Sequence, residues 1–162
     1  GTGCIGITIA KLFPTCKVYC IDISDSAIKY ASLNKEKLCA DNVTILKKDM
    51  LDPTSPIGLP FADIIISNPP YIKTKVINTL DVEVQNEPIL ALDGGKDALN
   101  FYRIIAENAY KYLNKDGILA LEIGYDQKEE VITLLEEVGK YTDIYSRKDL
   151  GGNDRIVICK KY

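Results

Sequence analysis

The sequence predicts an α/β fold built on a mostly parallel sheet that ends in an antiparallel C-terminal hairpin. Three observations carry this. Short aliphatic runs at residues 18–21, 43–46 and 64–66 read as buried parallel strands. Stretches with apolar residues at helical spacing lie between them, as crossover connections require. Near the end, Gly151-Gly152-Asn153-Asp154 joins the segments 143–147 and 155–160, which is the pattern of a hairpin.

The elements follow in order. Gly1-Thr2-Gly3-Cys4-Ile5-Gly6 is a glycine-rich turn that lets the backbone approach a nucleotide closely, and it opens into an apolar helical segment, 7–13, that stops before Pro14. The next strand, 18–21, ends in Asp22, about 20 residues after the glycines, where an acid accepts bonds from ribose hydroxyls. Ser24-Asp25 can cap a helix with Ala27, Ile28, Ala31 and Leu38 on its packing face. The strand 43–46 leads through Lys47-Lys48 to Asp49-Met50, a carboxylate and a flexible apolar side chain suited to an adenine amine and ring. Glycine turns and strand-terminal acids also occur without any ligand, so these features alone leave a purely structural reading open.

The run Ile64-Ile65-Ile66-Ser67 followed by Asn68-Pro69-Pro70-Tyr71 is more specific. Two successive prolines lack N–H donors and cannot continue a ladder, so the strand must stop at Asn68. Each proline also holds the residue before it extended, which projects polar atoms from the sheet edge where open α/β sheets bind ligands. The Asn68 side-chain oxygen and the Pro69 carbonyl are both acceptors and can take the two N–H bonds of a planar amide or exocyclic amine. Tyr71 offers a flat face for stacking. A plain turn with an asparagine cap is the competing reading.

Beyond Tyr71, residues 73–95 show little periodicity and are too long for an ordinary strand-to-helix connection, which suggests a substrate loop or a solvated insertion. Residues 97–113 have helical spacing, 117–123 read as a buried strand and 127–138 as an amphipathic helix.

The ordered series of glycine turn, Asp22, Asp49-Met50 and Asn68-Pro69-Pro70-Tyr71 resembles the class I S-adenosylmethionine-dependent methyltransferases, with their Rossmann-like sheet. Asn86-Glu87-Pro88, Ala91-Leu92-Asp93-Gly94-Gly95-Lys96-Asp97, Phe101-Tyr102, Leu121-Glu122-Ile123-Gly124 with Gln127, and Asp154-Arg155 narrow the resemblance to the release-factor glutamine methyltransferases, the PrmC/HemK family. The likeness covers essentially the whole chain. It implies an N5-glutamine methyltransferase acting on the Gly-Gly-Gln loop of peptide-chain release factors, with S-adenosyl-L-methionine as cofactor and S-adenosylhomocysteine as product. It implies cofactor contacts from Gly1, Thr2, Gly3, Asp22, Ile23, Asp49, Met50 and Asn68. Catalytic roles fall to Asn68, Pro69 and Tyr71, and substrate contacts to Asn68, Pro69, Pro70, Tyr71 and Glu87. The role of Glu122 stays open between substrate contact and satisfied carboxylate. Family members precede the glycine turn with a strand carrying an acid and with an amino-terminal helical domain; this chain begins at the glycines, so its central strand and that domain are expected to belong to a longer protein. Residues 1–162 are expected to form the catalytic domain.

Composition narrows the alternatives. With 162 residues and 46% hydrophobic content in short runs, the chain suits one domain with a real core and excludes disorder. No apolar run approaches the roughly 18 residues of a membrane span, so a cytoplasmic enzyme without membrane partners is the expectation. A net charge of −3 and a pI near 5.1 argue against direct nucleic-acid binding. The five cysteines show no Cys-x-x-Cys spacing and there is no histidine, so no metal site is expected, and the cysteines read as reduced, mostly buried small hydrophobes. The lack of histidine also excludes Ser-His-Asp and Cys-His chemistry. Methylation of an adenine amine in DNA or RNA, or of a ribosomal-protein glutamine, keeps the same clamp and is the alternative enzyme reading. A non-catalytic nucleotide-binding module is the third. A dinucleotide-dependent dehydrogenase is disfavoured because Thr8 and Ile9 stand where a third glycine would open the helix.

Overall fold

The structure, a computed structural model, describes residues 1–49 and 58–162. They gather into two compact units, Gly1–Gly58 and Leu59–Tyr162.

The first unit holds α1 (Cys4–Leu12), β1 (Val18–Asp22), α2 (Asp25–Lys37) and β2 (Val43–Lys47). Gly3 opens α1 with φ 77°, a left-handed conformation that glycine adopts without strain. The helix ends at Phe13, as a residue before proline is pushed out of the helical region. The Ser24 side chain accepts from the Ala27 N–H at 3.4 Å and caps α2. β1 and β2 are parallel, with Cys20 opposite Ile45 and Asp22 opposite Lys47. The core is Ile7, Ala10, Ala40 and Val43, with Val18, Cys20 and Ile45 packed against it.

The second unit contains β3 (Ala62–Ser67), the short helices α3 (Val82–Gln85) and α4 (Ile89–Leu92), α5 (Asn100–Asn108), β4 (Leu113–Glu122), α6 (Lys128–Val138), β5 (Tyr141–Lys148) and β6 (Asp154–Lys161). Its sheet order is β3-β4-β6-β5, with β3 parallel to β4 and the other pairings antiparallel. The expected terminal hairpin is therefore present. On α5, Tyr102, Ile105 and Ala106 form the buried stripe, and on α6 Val131 and Leu135 do so. These stripes share one core with Leu119, Leu121, Val157 and Cys159. α6 stops at Gly139, φ 63°, a left-handed cap.

The mostly parallel sheet with an antiparallel C-terminal hairpin is present as two ladders, β1-β2 and β3-β4-β6-β5. Two expectations need correction. β3 is not buried on both faces: Ile65 packs against the core, whereas Ile64 and Ile66 are 55% and 43% exposed. Their side chains share the opposite face with Ile156, 38% exposed, since residues two apart on a strand point the same way. The cysteines are free, but only Cys159 is buried; Cys4, Cys16 and Cys39 are exposed, lying at a helix start and in the turns outside the strands. Residues 73–95, read from sequence as a substrate loop or a solvated insertion, carry a 3-10 helix at Thr74–Thr79 as well as α3 and α4.

Candidate active site

In the second unit the β3 ladder stops at Ser67, paired with Leu121, as the two prolines require. Asn68 is exposed, and among the described residues its carboxamide has no hydrogen-bond partner. The Pro69 ring is buried while its carbonyl likewise accepts no bond from a described residue. The two acceptors proposed from sequence are thus adjacent and uncommitted.

The backbone behind them is heavily committed. Ile72 bridges Asp93 in parallel fashion, with Ile72 N–H donating to Leu92 at 3.0 Å and Gly94 N–H to the Ile72 carbonyl at 2.8 Å. The segment 73–95 therefore leaves the tetrapeptide and returns to it. Gly94 is forced by this closure: a Cβ there would stand 2.8 Å from the Pro70 carbonyl oxygen and 3.0 Å from the Tyr71 Cα. Asp93 accepts from the Thr74 hydroxyl at 2.7 Å and the Gly95 N–H at 2.9 Å, which hold its carboxyl below the usual range.

Tyr71 is half-buried, and its hydroxyl donates to Glu122 Oε1 at 3.3 Å. Burial pushes the phenol pKa up, the Glu122 charge reinforces this, and the Arg155 guanidinium opposes it. Arg155 itself donates to the Ile123 carbonyl at 3.2 Å and to Asp149 at 3.3 Å. Tyr102 donates to the Glu122 carbonyl at 2.8 Å from a site whose burial keeps it neutral. Sequence left Glu122 undecided; here its side chain takes the Tyr71 hydroxyl. Glu87 is exposed after α3, and among the described residues no hydrogen bond joins it to Asn68, Pro69, Pro70 or Tyr71.

In the first unit, Asp22 lies at the C-terminal end of β1. Its carboxylate accepts from the Gly1 amino group and, at 2.8 Å, from the Ser24 N–H. Burial alone would raise its pKa, but these bonds outweigh it and hold it low. Asn34 ties the Thr2 carbonyl at 3.0 Å. Ile23 is 43% exposed, and Asp49, at the end of β2, is partly buried. Met50 lies outside the described residues. The glycine turn and Asp22 lie in the same unit. The third glycine, expected at Thr8 or Ile9 and missing there, is present as Gly6: it completes the Gly-x-Gly-x-x-Gly spacing, and a Cβ on it would overlap the Cys20 Sγ, so it serves the close helix-to-strand packing of that motif. A shallow hollow of about 400 Å³ at the other end of β1 and β2, lined by Pro14, Thr15, Cys16 and Asn42 among others, includes none of these residues. Among the described residues no helix is long and apolar enough to cross a membrane.

A release factor glutamine methyltransferase of Thermodesulfovibrio yellowstonii is 43% identical over 162 residues, covering 99% of this chain and 57% of that protein. One from Clostridium acetobutylicum is 42% identical over 161 residues, covering 98% and 56%. The chain thus spans little more than half the length of these curated relatives. Among solved structures, a methyltransferase from Pyrococcus furiosus superposes with a TM-score of 0.69 at 23% identity, over 99% of this chain and 71% of that one, which shows a shared fold. The family described as methyltransferase domain matches residues 1–152. The chain belongs to the methyltransferase domain family.

Proposed function

We propose that the gene product transfers a methyl group from S-adenosyl-L-methionine to the side-chain amide nitrogen of the glutamine in the Gly-Gly-Gln loop of peptide-chain release factors, leaving S-adenosylhomocysteine. The observation that carries this reading is the uncommitted acceptor pair of Asn68 and Pro69 at the end of β3. The curated relatives are named release factor glutamine methyltransferases.

The cofactor supplies an electrophilic methyl on a sulfonium. The first unit has residues suited to holding it: the turn backbone of Gly1, Thr2 and Gly3, the Asp22 carboxylate for ribose hydroxyls, and Ile23 with Asp49 and Met50 for the adenine. In the second unit, the amide N–H groups of a glutamine donate to Asn68 Oδ1 and to the Pro69 carbonyl. An amide nitrogen shares its lone pair with its own carbonyl and attacks poorly. Two acceptors on its hydrogens favour the positive charge that develops on nitrogen as the methyl arrives, and they fix the line of attack. Tyr71, its hydroxyl anchored on Glu122, presents the ring face to the amide plane. No general base is needed, since the proton leaves after methyl transfer has made the nitrogen acidic. A release-factor substrate places the reaction in the cytosol.

The test is to incubate the full-length gene product with isotope-labelled S-adenosylmethionine and a mixture of release factor, ribosomal proteins and DNA, and to locate the label by mass spectrometry. Label on the Gly-Gly-Gln glutamine is the expected result. Label on adenine or on a ribosomal-protein glutamine would keep the clamp and discard the substrate; no label despite cofactor binding would discard the reading.

A further inference from the structure

Gln127 is the single buried polar residue of the described chain, 5% exposed, and every polar atom of its side chain is used. Its Oε1 accepts from the Gly124 N–H at 2.8 Å, and its Nε2 donates to the Ala98 carbonyl at 3.2 Å and to the Tyr71 carbonyl at 3.3 Å. One carboxamide thus joins the end of β4, the turn before α5 and the last residue of the tetrapeptide. Gly124 makes room for it, since a Cβ there would stand 2.8 Å from Gln127 Oε1. Ala98, with φ 66°, is a non-glycine residue in the left-handed region whose carbonyl is spent on this contact. A helix start needs none of this: Gln127 precedes α6 without capping it through its side chain.

We propose that Gln127 is a positioning residue for methyl transfer, setting the Tyr71 main chain and, through it, the aim of the Asn68 and Pro69 acceptors; the proposal rests on the amide-clamp reading above. The carboxamide suits this because it offers one acceptor to an N–H and two donors to two carbonyls. A carboxylate would satisfy Gly124 and face two carbonyl oxygens with no hydrogen, whereas a protonated carboxyl would regain one donor.

The experiment compares the full-length gene product with Gln127→Met and Gln127→Glu, with rates normalised to the folded fraction read by circular dichroism. Removing the contacts in Gln127→Met is expected to lower kcat about 10-fold or more while leaving cofactor affinity within about twofold, the signature of a lost alignment. In Gln127→Glu, kcat is expected to be low at alkaline pH and to recover as pH falls through the pKa of the buried carboxyl, a profile that a merely structural role would not produce. A folded Gln127→Met with kcat within about twofold of the parent, or a Gln127→Glu profile parallel to the parent's, overturns the proposal. If the parent methylates a different amine, the substrate reading fails and the same variants are compared on that amine. If the parent transfers no methyl group, the clamp reading fails, and the readout becomes the Tyr71 phenol titration by carbon-13 NMR, assigned with Tyr71→Phe. A lowered Tyr71 midpoint in Gln127→Met supports the positioning role, and an unchanged one overturns it.

Discussion

The two units hold their ligand-facing residues by different means. In the second, the tetrapeptide stands on a core that includes Tyr102, Leu119, Leu121, Val131, Leu135 and Val157, and its backbone is fastened by Gln127, the Ile72–Asp93 bridge and the Gly94 contact. Asn68 Oδ1 and the Pro69 carbonyl, the groups proposed for the substrate, have no hydrogen-bond partner among the described residues. In the first, the buried core is Ile7, Ala10, Ala40 and Val43, and the Asp22 carboxylate, the group proposed for the cofactor ribose, accepts from the Ser24 N–H of its own loop. On the proposed reading, an amide is a weak nucleophile that must be aligned, which suits an open acceptor pair, whereas nucleoside hydroxyls can share a carboxylate that already takes one backbone N–H.

The sharpest way to break the comparison is Asn68→Ala. Removing one preorganised acceptor is expected to reduce turnover about 100-fold or more with cofactor affinity nearly intact, measured by methyl-transfer kinetics and isothermal titration. Equal turnover would mean the free acceptors have no role. In stability, Leu121→Ala is expected to cost about 2 to 5 kcal/mol by urea unfolding, and Val43→Ala about 2 kcal/mol, because the smaller side chain leaves a smaller cavity in a core already lined by alanines. Equal losses would erase the difference between the cores. Gly6→Ala is expected to destabilise the first unit by about 1 to 3 kcal/mol through its clash with Cys20, and Cys20→Ala in the same chain should restore most of it, since alanine is otherwise the better helix residue. A cycle with no coupling would remove the packing role of Gly6.

Alkaline pH tests the burial of the second unit's core, while in the first unit burial also pushes the Cys20 thiol up. Burial pushes the phenols of Tyr102 and Tyr141 up, and the Cys159 thiol up to about 12, all in the second unit. A raised folded pKa favours the protonated native state, so this contribution is whole below the ordinary thiol value near 9.0 and is lost as pH rises toward 12. Urea midpoints should therefore fall between pH 8 and pH 10.5, and Cys159→Ala should flatten part of the slope. The smallest effect is expected of Asp97→Asn. The Arg103 hydrogen bonds hold Asp97 at about 2, but the pair is solvent-exposed, so the variant should change stability by less than about 0.5 kcal/mol at neutral pH. The parent's slight advantage should vanish as pH falls from the ordinary 3.8 toward 2.

Most elements were legible because their signals are local. Proline placed the ends of α1 and β3, and apolar runs placed the strands. The Asn68 clamp was legible because two prolines dictate the backbone whatever surrounds it. What sequence did not reveal depends on neighbours distant in the chain. Gln127 meets Tyr71 and Glu122 meets Tyr71 across more than fifty positions. Which faces of β3 are covered depends on helices elsewhere, so Ile64 and Ile66 read as buried from their chemistry alone. Gly6 was available in the sequence, and counting the spacing from Gly1 would have found it.

β3 also has a consequence for handling the polypeptide. One edge has no strand partner among the described residues, and beside it lie the bare side chains of Ile64 and Ile66 with Phe61, 65% exposed. Unsatisfied peptide groups next to apolar side chains form a template that another extended chain can extend. Expressed alone at high concentration, this segment is expected to stack strand upon strand into insoluble assemblies, and a lysine at position 64 is the substitution that would keep it in solution.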